Sequence, residues 1–480
     1  MLKGIFLPYM VTSHIIPLVD IGRIFAMHGV DVTIIATPVN AAIFQSSIDR
    51  DSSLGRSIRT LILKFPHVAG LPEGIENINS STPVAMFPKI MEGVTILQGQ
   101  FEQLFRDIKP DFIVSDMFYP WSANAATELG IPRLVYMGSS YFSHCASNSI
   151  EEFSPHTKVN SDSESFLLPG LPHKLEMTRS QLPDWVREPN LYTNLLKMIR
   201  ESEKKSYGSL FKSFYEFDRG YEEYYNAVTG TKSWSLGPVS LWVNQDDSDE
   251  TCNGHAKEEK QEKDDCLTWL DSKKENSVLY VSFGSMNKFL ATQLVEIAHA
   301  LEDSGYDFIW VVRKVDDNVL EEFEKRVRES NKGYLIWGWA PQVQILEHPA
   351  TGAVVTHCGM NTVFESVNAS LPMVAWPIFA EQFFNEKLLV DVLKIGVAVG
   401  AKEWRNLHGT AKEVLKREDI GKAIAKVMDG GEECLEMRKR VKVLSDAAKK
   451  AIQVGGSSYN NMKNLIEDLK SIKLQKEAAA

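Results

Sequence analysis

The sequence predicts an α/β protein of two domains of similar size, each built on a parallel sheet. Two observations carry this prediction. Apolar, β-branched runs alternate with helical patterns along most of the chain, and strands that alternate with helices form parallel sheets through right-handed crossovers. The chain also has 480 residues, which exceeds the roughly 250–300 residues at which one hydrophobic core stops growing.

In the first half the alternation starts at the N-terminus. "GIFLPY" is a short apolar run that predicts a strand. "HIIPLVDIGRIFAMHG" places Leu18, Ile21 and Phe25 at helical spacing and ends at Gly29. "VDVTIIATP" is a β-branched run that Pro38 ends. A strand, a helix and another strand follow in "DFIVSDMF", "SANAATELG" and "PRLVYMG".

The segment 244–265, "NQDDSDETCNGHAKEEKQEKDD", interrupts the alternation. It is highly charged and almost free of apolar residues, which is typical of a solvated linker. We therefore predict a first domain over residues 1–243 and a second over 266–455. The second repeats the pattern with the strands "SVLYVSFGS", "DFIWVVR", "GYLIWGW", "GAVVTHCG", "PMVAWP" and "VAVG", and with helices between most of them.

The last predicted element is an amphipathic helix within residues 456–480. Its apolar stripe stands behind a Ser-Ser cap and is formed by Met462, Leu465, Ile466, Leu469 and Ile472. An apolar stripe has to be buried against another element, so we expect this helix to pack back across the first domain.

Charge and cysteine content narrow the class of protein. A formal net charge of −11 argues against a nucleic-acid binder, which needs a basic surface. Five scattered cysteines without a CxxC pair are typical of reduced thiols in a cytoplasmic protein. No run of about 18 apolar residues occurs, so the sequence predicts no membrane-spanning helix.

The stretch "VTHCGMNTVFES" predicts a strand that opens directly into a helix. A helix N-terminus carries unpaired N–H groups and roughly half a positive charge, and Gly359 lets the backbone approach a ligand closely. With the side-chain donors His357, Asn361 and Thr362, this corner suits a phosphate or diphosphate. Ser285, in the corner "SFGSM", can donate to the same anion. The alternative is structural, with helix caps and a buried histidine that bind nothing.

Side chains at other corners of this domain extend the site. Trp339 offers a plane on which a base can stack, and Gln342 can bind the edge of that base. Glu365 lies one turn into the corner helix, within reach of ribose hydroxyls. Glu381 and Gln382 follow another strand and suit a pair of vicinal hydroxyls. Base, ribose, diphosphate and sugar together indicate a nucleotide sugar.

The segment from Trp339 to Gln382 resembles, nearly throughout, the plant secondary-product glycosyltransferase signature, which is long and specific. The likeness extends to "SHIIPLVDIGRIFA", "CLTWLDSK" and "VLYVSFGS". The chain therefore resembles the plant family 1 UDP-sugar glycosyltransferases. Within them it is similar to the legume group that glycosylates triterpenoid saponins, through "EMTRSQLPDW", "SYGSLFKSFYEF", "GPVSLW" and "VGAKEWRN".

The resemblance implies a GT-B fold, in which two Rossmann-like domains face a cleft and the C-terminal helix returns to the N-terminal domain. It implies no metal and no cofactor, with a UDP-sugar as donor substrate. The residues implied to bind the UDP-sugar are Ser285, Trp339, Ala340, Gln342, His357, Gly359, Met360, Asn361, Thr362, Glu365, Glu381 and Gln382.

In the N-terminal domain the resemblance implies a catalytic dyad of His14 and Asp116. The carboxylate would orient the imidazole and stabilise its protonated form, and the imidazole would deprotonate the acceptor hydroxyl. The acceptor oxygen would displace UDP from the anomeric carbon with inversion, while donors at residues 357–362 stabilise the leaving diphosphate. The structural alternative is a helix-capping histidine and an aspartate that ends a strand.

Two positions bear on the donor sugar. Met360 stands where the signature usually has a tryptophan. The packing of the indole ring is lost, but the backbone N–H at this position, which the family directs towards the sugar, can still make its contact. Gln382 is the residue that accompanies glucose in the family, where histidine accompanies galactose. We therefore expect UDP-glucose, with UDP-galactose and UDP-glucuronate as alternatives.

The acceptor is less well defined by the sequence. A triterpenoid or its glycoside is what the resemblance implies, and a flavonoid or other phenol is the alternative. Buried aromatic residues are often only core, but six of them could line a broad apolar pocket: Phe118, Tyr119, Tyr136, Tyr141, Phe142 and Phe379.

Three other functions are weaker. A metal-dependent transferase would use Asp247-Ser248-Asp249, but this triplet lies in the charged linker and does not follow a strand. A dinucleotide oxidoreductase would need a GxGxxG after the first strand, and "LPYMVTSHIIP" has no glycine. A non-catalytic sugar-nucleotide binder would not need His14 and Asp116.

Overall fold

The structure is a computed structural model, and it describes residues 1–79, 82–244, 265–287, 289–312, 319–406 and 413–479. Its strands, in chain order, are β1 (Lys3–Leu7), β2 (Asp31–Ala36), β3 (Ile58–Ile62), β4 (Phe112–Asp116), β5 (Arg133–Met137), β6 (Ser165–Leu167), β7 (Glu176–Thr178), β8 (Gly208–Phe211), β9 (Ser233–Ser235), β10 (Val278–Ser282), β11 (Asp307–Val312), β12 (Gly333–Trp337), β13 (Thr351–Thr356), β14 (Met373–Ala375) and β15 (Gly396–Ala398).

The helices alternate with these strands. In chain order they are α1 (Thr12–Met27), α2 (Pro38–Ala41), α3 (Gln45–Ser53), α4 (Phe87–Ile108), α5 (Ser122–Glu128), α6 (Tyr141–Phe153), α7 (Asp184–Arg187), α8 (Leu191–Lys204), α9 (Tyr221–Thr229), α10 (Val239–Val243), α11 (265–271), α12 (Ala291–Ser304), α13 (Glu321–Ser330), α14 (Gln342–Glu347), α15 (Met360–Asn368), α16 (Gln382–Lys387), α17 (Arg417–Met428), α18 (Glu432–Ala451) and α19 (Ser457–Ala479).

The first large sheet has the strand order β3-β2-β1-β4-β5-β8-β9, and its pairings are parallel. Strands covered on both faces are mostly apolar, and every residue of β4 and β5 is buried, including the polar Ser115, Asp116 and Arg133. The register pairs Leu7 with Ser115 and Asp116 with Tyr136. The carboxyl ends of β1, β4 and β5 therefore lie side by side, which brings the residues that follow them together.

The second large sheet has the order β12-β11-β10-β13-β14-β15 and is also parallel. Its central pair is β10 and β13, with Ser282 opposite Thr356. The loops that follow these two strands therefore start from the same edge of the sheet. A short antiparallel pair, β6 and β7, stands apart from both large sheets.

The C-terminal helix α19 packs as its pattern predicts. Met462, Leu465, Ile466 and Leu469 belong to the core beneath the first large sheet, and Ile472 packs against that core while partly buried. The amide of Asn461 donates to the Ser235 carbonyl over 3.1 Å. The predicted return of this helix to the first domain is confirmed.

The chain forms two compact units. One comprises Met1–Tyr141, Asn190–Gly254 and Ala448–Ala480, and the other comprises Phe142–Pro189 and His255–Ala447, so far as these ranges are described. Residues 142–189 thus group with the second unit, whereas their sequence pattern placed them in the first domain. Of the predicted linker, residues 245–264 lie outside the described residues. The predicted boundaries at 243, 265 and 455 stay predictions.

Most predicted strands and helices are present, with two kinds of difference. The short strands β3, β6, β7, β8 and β9 were not predicted, because their apolar runs are too brief to stand out from loops. The helix expected in "FFNEKLLVDVLKIG" is α16 followed by a π-helical turn, Leu388–Val392.

Candidate functional site

His14 and Asp116 form a close pair at the edge of the first sheet. His14 lies in the first turn of α1, after β1, and Asp116 ends β4, the neighbour of β1. The distance from Nδ1 of His14 to Oδ2 of Asp116 is 2.7 Å. Because a carboxylate accepts, we assign the proton to Nδ1, which leaves Nε2 as the basic atom. The His14 side chain is 19% exposed and that of Asp116 is fully buried.

Asp116 is further held by its surroundings. Its Oδ1 accepts from the backbone N–H of Phe118 over 3.0 Å. A buried guanidinium, Arg133, lies on the neighbouring strand and donates from Nε to Ser115 Oγ over 2.8 Å. Burial lowers the pKa of Arg133 to about 9, and the charges of Asp116 and Glu203 oppose that change. The positive charge of Arg133 and the carboxylate of Asp116 thus attract each other.

Aromatic rings surround His14. The ring centroid of Phe118 lies 5.3 Å from that of His14, and those of Tyr9 and Tyr136 lie 6.3 and 6.4 Å away. A Cβ on Gly138 would stand 2.6 Å from Cε1 of His14, so only glycine leaves room for the imidazole here. Tyr9 and Gly138 were missed by sequence analysis, although glycine directly after a strand was an available signal.

The remaining predicted acceptor residues have other partners within their own units. Tyr119 packs against Tyr9, Phe101 and Trp121. Tyr141 stacks on a core phenylalanine, and its hydroxyl bonds to a serine. In the second unit, Phe142 is buried, and Phe379 packs partly buried against the core. Among the predicted acceptor aromatics of the first unit, Phe118 and Tyr136 have their rings against His14.

The corner between β13 and α15 has the predicted strand-to-helix form. Cys358 adopts a left-handed φ of +65°, Gly359 is the N-cap, and Met360 is the first residue of the helix. Asn385 from α16 donates from Nδ2 to the Cys358 carbonyl over 2.8 Å. Met360 is buried, so the methionine fills space beside the corner. The N–H groups of Met360, Asn361 and the next residue begin the helix, and such a helix N-terminus suits an anion.

His357 ties this corner to the loop that carries Ser285. A Cβ on Gly284 would stand 2.6 Å from the His357 ring, and one on Gly359 would stand 2.4 Å from it. The ring is thus packed between two glycines, and the loops after β10 and β13 meet as predicted. Burial lowers the pKa of His357 to about 4. At neutral pH it is a neutral hydrogen-bonding group.

The predicted base and ribose residues also meet. The amide Nε2 of Gln342 donates to Oε2 of Glu365 over 2.6 Å and to Thr362 Oγ1 over 3.3 Å. Its Oε1 accepts from the hydroxyl of Tyr280 over 3.0 Å. Trp339 is 56% exposed, as a stacking surface must be before a ligand covers it. The neighbouring Ala340 is buried.

Glu381 and Gln382 start α16 after a left-handed residue, Ala380, with a φ of +50°. The side chain of Gln382 is buried, and its Oε1 accepts from the N–H groups of Ile378 and Phe379, each over 3.0 Å. Because Oε1 is used in this way, Nε2 is the polar atom that Gln382 can offer to a ligand, and an amide nitrogen can only donate a hydrogen bond.

The described residues give no support to a metal site. Within them no group of three or more His, Cys, Asp or Glu side chains is placed to hold a metal ion. The triplet Asp247-Ser248-Asp249 lies outside the described residues. The expectation of no metal and no cofactor stays a prediction. Among the described helices, none has the length and apolar character needed to cross a membrane.

Comparison with known proteins finds close relatives over the whole chain. Residues 104–429 match the family model described as "UDP-glucoronosyl and UDP-glucosyl transferase". The chain is 63% identical to soyasapogenol B glucuronide galactosyltransferase of Glycine max, covering 99% of this chain and 97% of that one. It is 45% identical to scopoletin glucosyltransferase of Nicotiana tabacum, covering 97% of each.

A solved structure is also closely similar to this chain over its whole length. The crystal structure of a Glycyrrhiza uralensis glycosyltransferase complexed with glycyrrhetinic acid 3-O-monoglucuronide is 67% identical, with a TM-score of 0.96 over 100% of this chain and 98% of that one. The predicted GT-B fold is confirmed by this likeness.

Proposed function

We propose, from the premise that the chain belongs to the UDP-glucoronosyl and UDP-glucosyl transferase family, that it transfers a hexose from a UDP-sugar to a triterpenoid glycoside. The family resemblance and the glycosyltransferase class expected from the sequence are confirmed by these matches. The observation that carries the proposal further is the Asp116 carboxylate, buried and 2.7 Å from the ring of His14.

In this proposal His14 is the general base. Asp116 holds the proton on Nδ1, so Nε2 takes the proton of the acceptor hydroxyl, and the carboxylate stabilises the imidazolium that forms. The acceptor oxygen bonds to the anomeric carbon as the bond to UDP breaks, so the configuration inverts. A general base of this kind contributes roughly 10²–10⁴ in rate.

The donor corner would hold UDP. Trp339 stacks on the uracil, and Gln342 and Glu365 bind the base edge and the ribose hydroxyls. Ser285, His357 and the N-terminus of α15 hold the diphosphate, which gains negative charge as it leaves. Fixed N–H donors and a helix dipole stabilise such charge without reorganisation. The neutral state of His357 keeps it a directional donor or acceptor.

Glucose is the sugar that we propose, on the basis of Gln382. Held by two backbone N–H groups, its carboxamide offers an N–H donor to a sugar oxygen from a fixed position. Galactose is a second candidate, because a relative at 63% identity is named as a galactosyltransferase. Met360 is buried beside the corner, at the position where the signature usually has a tryptophan. Because of this difference from the signature, we keep both glucose and galactose as candidates.

The acceptor that we propose is a triterpenoid that already carries glucuronate. Two relatives support this choice: one is named for a soyasapogenol B glucuronide, and the other is complexed with a glycyrrhetinic acid monoglucuronide. The partly exposed ring of Phe118, 5.3 Å from the ring of His14, offers an apolar contact for such a skeleton, and the buried rings of Tyr9 and Tyr136 also pack around His14. A phenolic acceptor remains the alternative, since the scopoletin enzyme is 45% identical.

The compartment that we propose is the cytoplasm. Cys145, Cys266, Cys358 and Cys434 are buried free thiols, as expected where disulfides are kept reduced.

A mass-spectrometric product assay tests the function. The purified chain is given a triterpenoid monoglucuronide, its aglycone or scopoletin, each with UDP-glucose, UDP-galactose or UDP-glucuronate and with EDTA present. We expect a hexose adduct of the monoglucuronide from UDP-glucose. An adduct from UDP-galactose alone would assign donor choice to residues other than Gln382.

The controls separate catalysis from folding. His14→Gln should slow formation of the adduct roughly 10²–10⁴-fold. His28→Gln, at the C-cap of the same helix, loses a bond from Nδ1 to the Ile24 carbonyl and should form the adduct at the wild-type rate. No product from any donor and acceptor, with UDP still bound, would instead indicate a non-catalytic sugar-nucleotide binder.

A further inference from the structure

Two segments that the proposed reaction does not use, "EMTRSQLPDW" and "VGAKEWRN", contact each other in the second unit. The backbone N–H of Trp404 donates to the Ser180 carbonyl over 2.8 Å, and Ser180 Oγ donates to the Lys402 carbonyl over 2.8 Å. The rings of Trp185 and Trp404 meet edge to face, 4.9 Å apart. Hydrogen bonds and ring packing thus join segments more than 200 residues apart.

Trp404 also reaches the start of α16. Its indole N–H donates to the Ala380 carbonyl over 2.9 Å. The next backbone N–H, of Arg405, donates to the Ile378 carbonyl over 2.9 Å. Trp404 is buried, so water does not compete for these bonds.

The turn that Trp404 contacts, residues 378–380, directly precedes Glu381 and Gln382 and determines their position. Ala380 has a φ of +50°, a left-handed conformation that residues other than glycine adopt infrequently and that therefore needs support from its surroundings. Ile378 both accepts from Arg405 and donates to Gln382. The backbone of residues 378–380 is thus held by Trp404 and Arg405 on one side and by Gln382 on the other.

We propose that Trp404 is a positioning residue for the transferred sugar. Its indole N–H fixes the Ala380 carbonyl, and with it the direction of Glu381 and Gln382, while Ser180 and Trp185 hold the indole in place. This inference rests on the proposed function, because it takes Glu381 and Gln382 as the residues that bind the sugar. Its effect therefore belongs to binding of the sugar and is absent from binding of UDP.

Trp404→Phe tests the inference, because it keeps an aromatic ring against Trp185 and removes the indole N–H together with part of the ring volume, a loss of volume that the control below shares. We expect the KM for the UDP-sugar to rise roughly three- to tenfold, the value of one hydrogen bond in a binding constant. The Kd for UDP, measured by calorimetry, should stay unchanged, and preference between UDP-glucose and UDP-galactose should fall. Trp269→Phe is the matched control, since it removes an indole N–H bonded to Asn331 Oδ1 over 2.8 Å in the same unit.

Three outcomes would overturn the inference. Trp404→Phe could behave as Trp269→Phe does, or it could weaken UDP and UDP-sugar equally, which a general loss of structure would do. If Trp404→Phe does not fold, Trp185→Phe replaces it, and an unchanged KM for the UDP-sugar would be the contrary result. Failure of the proposed function gives a different result, because the wild-type chain would then transfer no sugar. The Kd values for UDP and for the UDP-sugar can still be measured by calorimetry in that case, so the effect of Trp404→Phe on sugar binding remains testable.

Discussion

Replacing Asp116 by asparagine removes one charge from the dyad with almost no change in volume. Asparagine keeps an oxygen that can accept from the Phe118 N–H, as Oδ1 does now. It keeps no negative charge beside His14. Because the Asp116 side chain is fully buried, water cannot take over the role of the carboxylate when the imidazole becomes protonated.

The size of the effect follows from the geometry. Two unit charges about 4 Å apart interact with about 4 kcal/mol at an effective dielectric constant of about 20, and the Nδ1 to Oδ2 distance of 2.7 Å places the charge centres of imidazolium and carboxylate near that separation. Since about 1.4 kcal/mol corresponds to a factor of ten in rate, kcat should fall roughly 10³-fold.

The assay is the initial rate of product formation at saturating UDP-sugar, with thermal unfolding recorded for each variant. His14→Ala should lower kcat roughly 10²–10⁴-fold, and the double variant should lose no more than the worse single variant, because the two side chains act as a unit. Thr127→Ala is the control. It removes a hydrogen bond from Oγ1 to the Ala123 carbonyl over 2.8 Å in the same unit, which costs about 1 kcal/mol of stability, and it should leave kcat unchanged.

Two results would refute this reasoning. One is an Asp116→Asn enzyme that keeps its fold and a kcat within about tenfold of the wild type. The other is a double variant in which the two single losses multiply, since independent effects mean that Asp116 does not act through His14.

The other predictions concern packing, sugar binding and pH. Gly138→Ala places a methyl group 2.6 Å from Cε1 of His14 and should lower kcat roughly 10²-fold, because it misplaces the general base. Gly421→Ala is the control, since a Cβ there meets no atom within 4 Å, and it should leave kcat unchanged. Equal kcat values for the two variants would contradict the packing argument. Gln382→Glu keeps the oxygen that two backbone N–H groups need and loses the N–H donor, so the KM for the UDP-sugar should rise about tenfold at constant Kd for UDP, and a parallel loss of UDP affinity would count against it. Burial raises the pKa of Glu203 to about 7 from 4.5. The folded state therefore favours the protonated carboxyl of Glu203. Its contribution to the free energy of unfolding is fully present below pH 4.5 and is lost as the pH rises through 7. Glu203→Gln should accordingly raise the Tm relative to the wild type more at pH 8 than at pH 5, and equal differences at both would contradict this sign.

Much of the candidate site follows from local sequence. The corner from Thr356 to Met360 was predicted because an apolar run, a glycine and a helical pattern stand next to each other, and the structure has that strand, N-cap and helix in place. The C-terminal stripe from Met462 to Leu469 is buried as its spacing required. These features depend on neighbours within a few residues, which a single sequence displays.

Long-range partners could not be read in this way. Three pairs each join separate elements: Arg133 interacts with the charge of Asp116, Gly138 packs against His14, and Trp404 donates to Ala380. Nothing in the spacing around any of these residues indicates its partner. The pairing of His14 with Asp116 was itself expected only from the resemblance to a family.

Strand ends, helix starts and apolar faces can be predicted from the amino-acid sequence, because the period of the apolar residues and the turn chemistry are local. Which strand ends lie together depends instead on long-range packing. Strands buried on both faces have apolar runs that do not specify their neighbours, so the placement of β1 beside β4 is set by the packing of the whole sheet. That packing brings His14 to Asp116 across 102 positions of the chain.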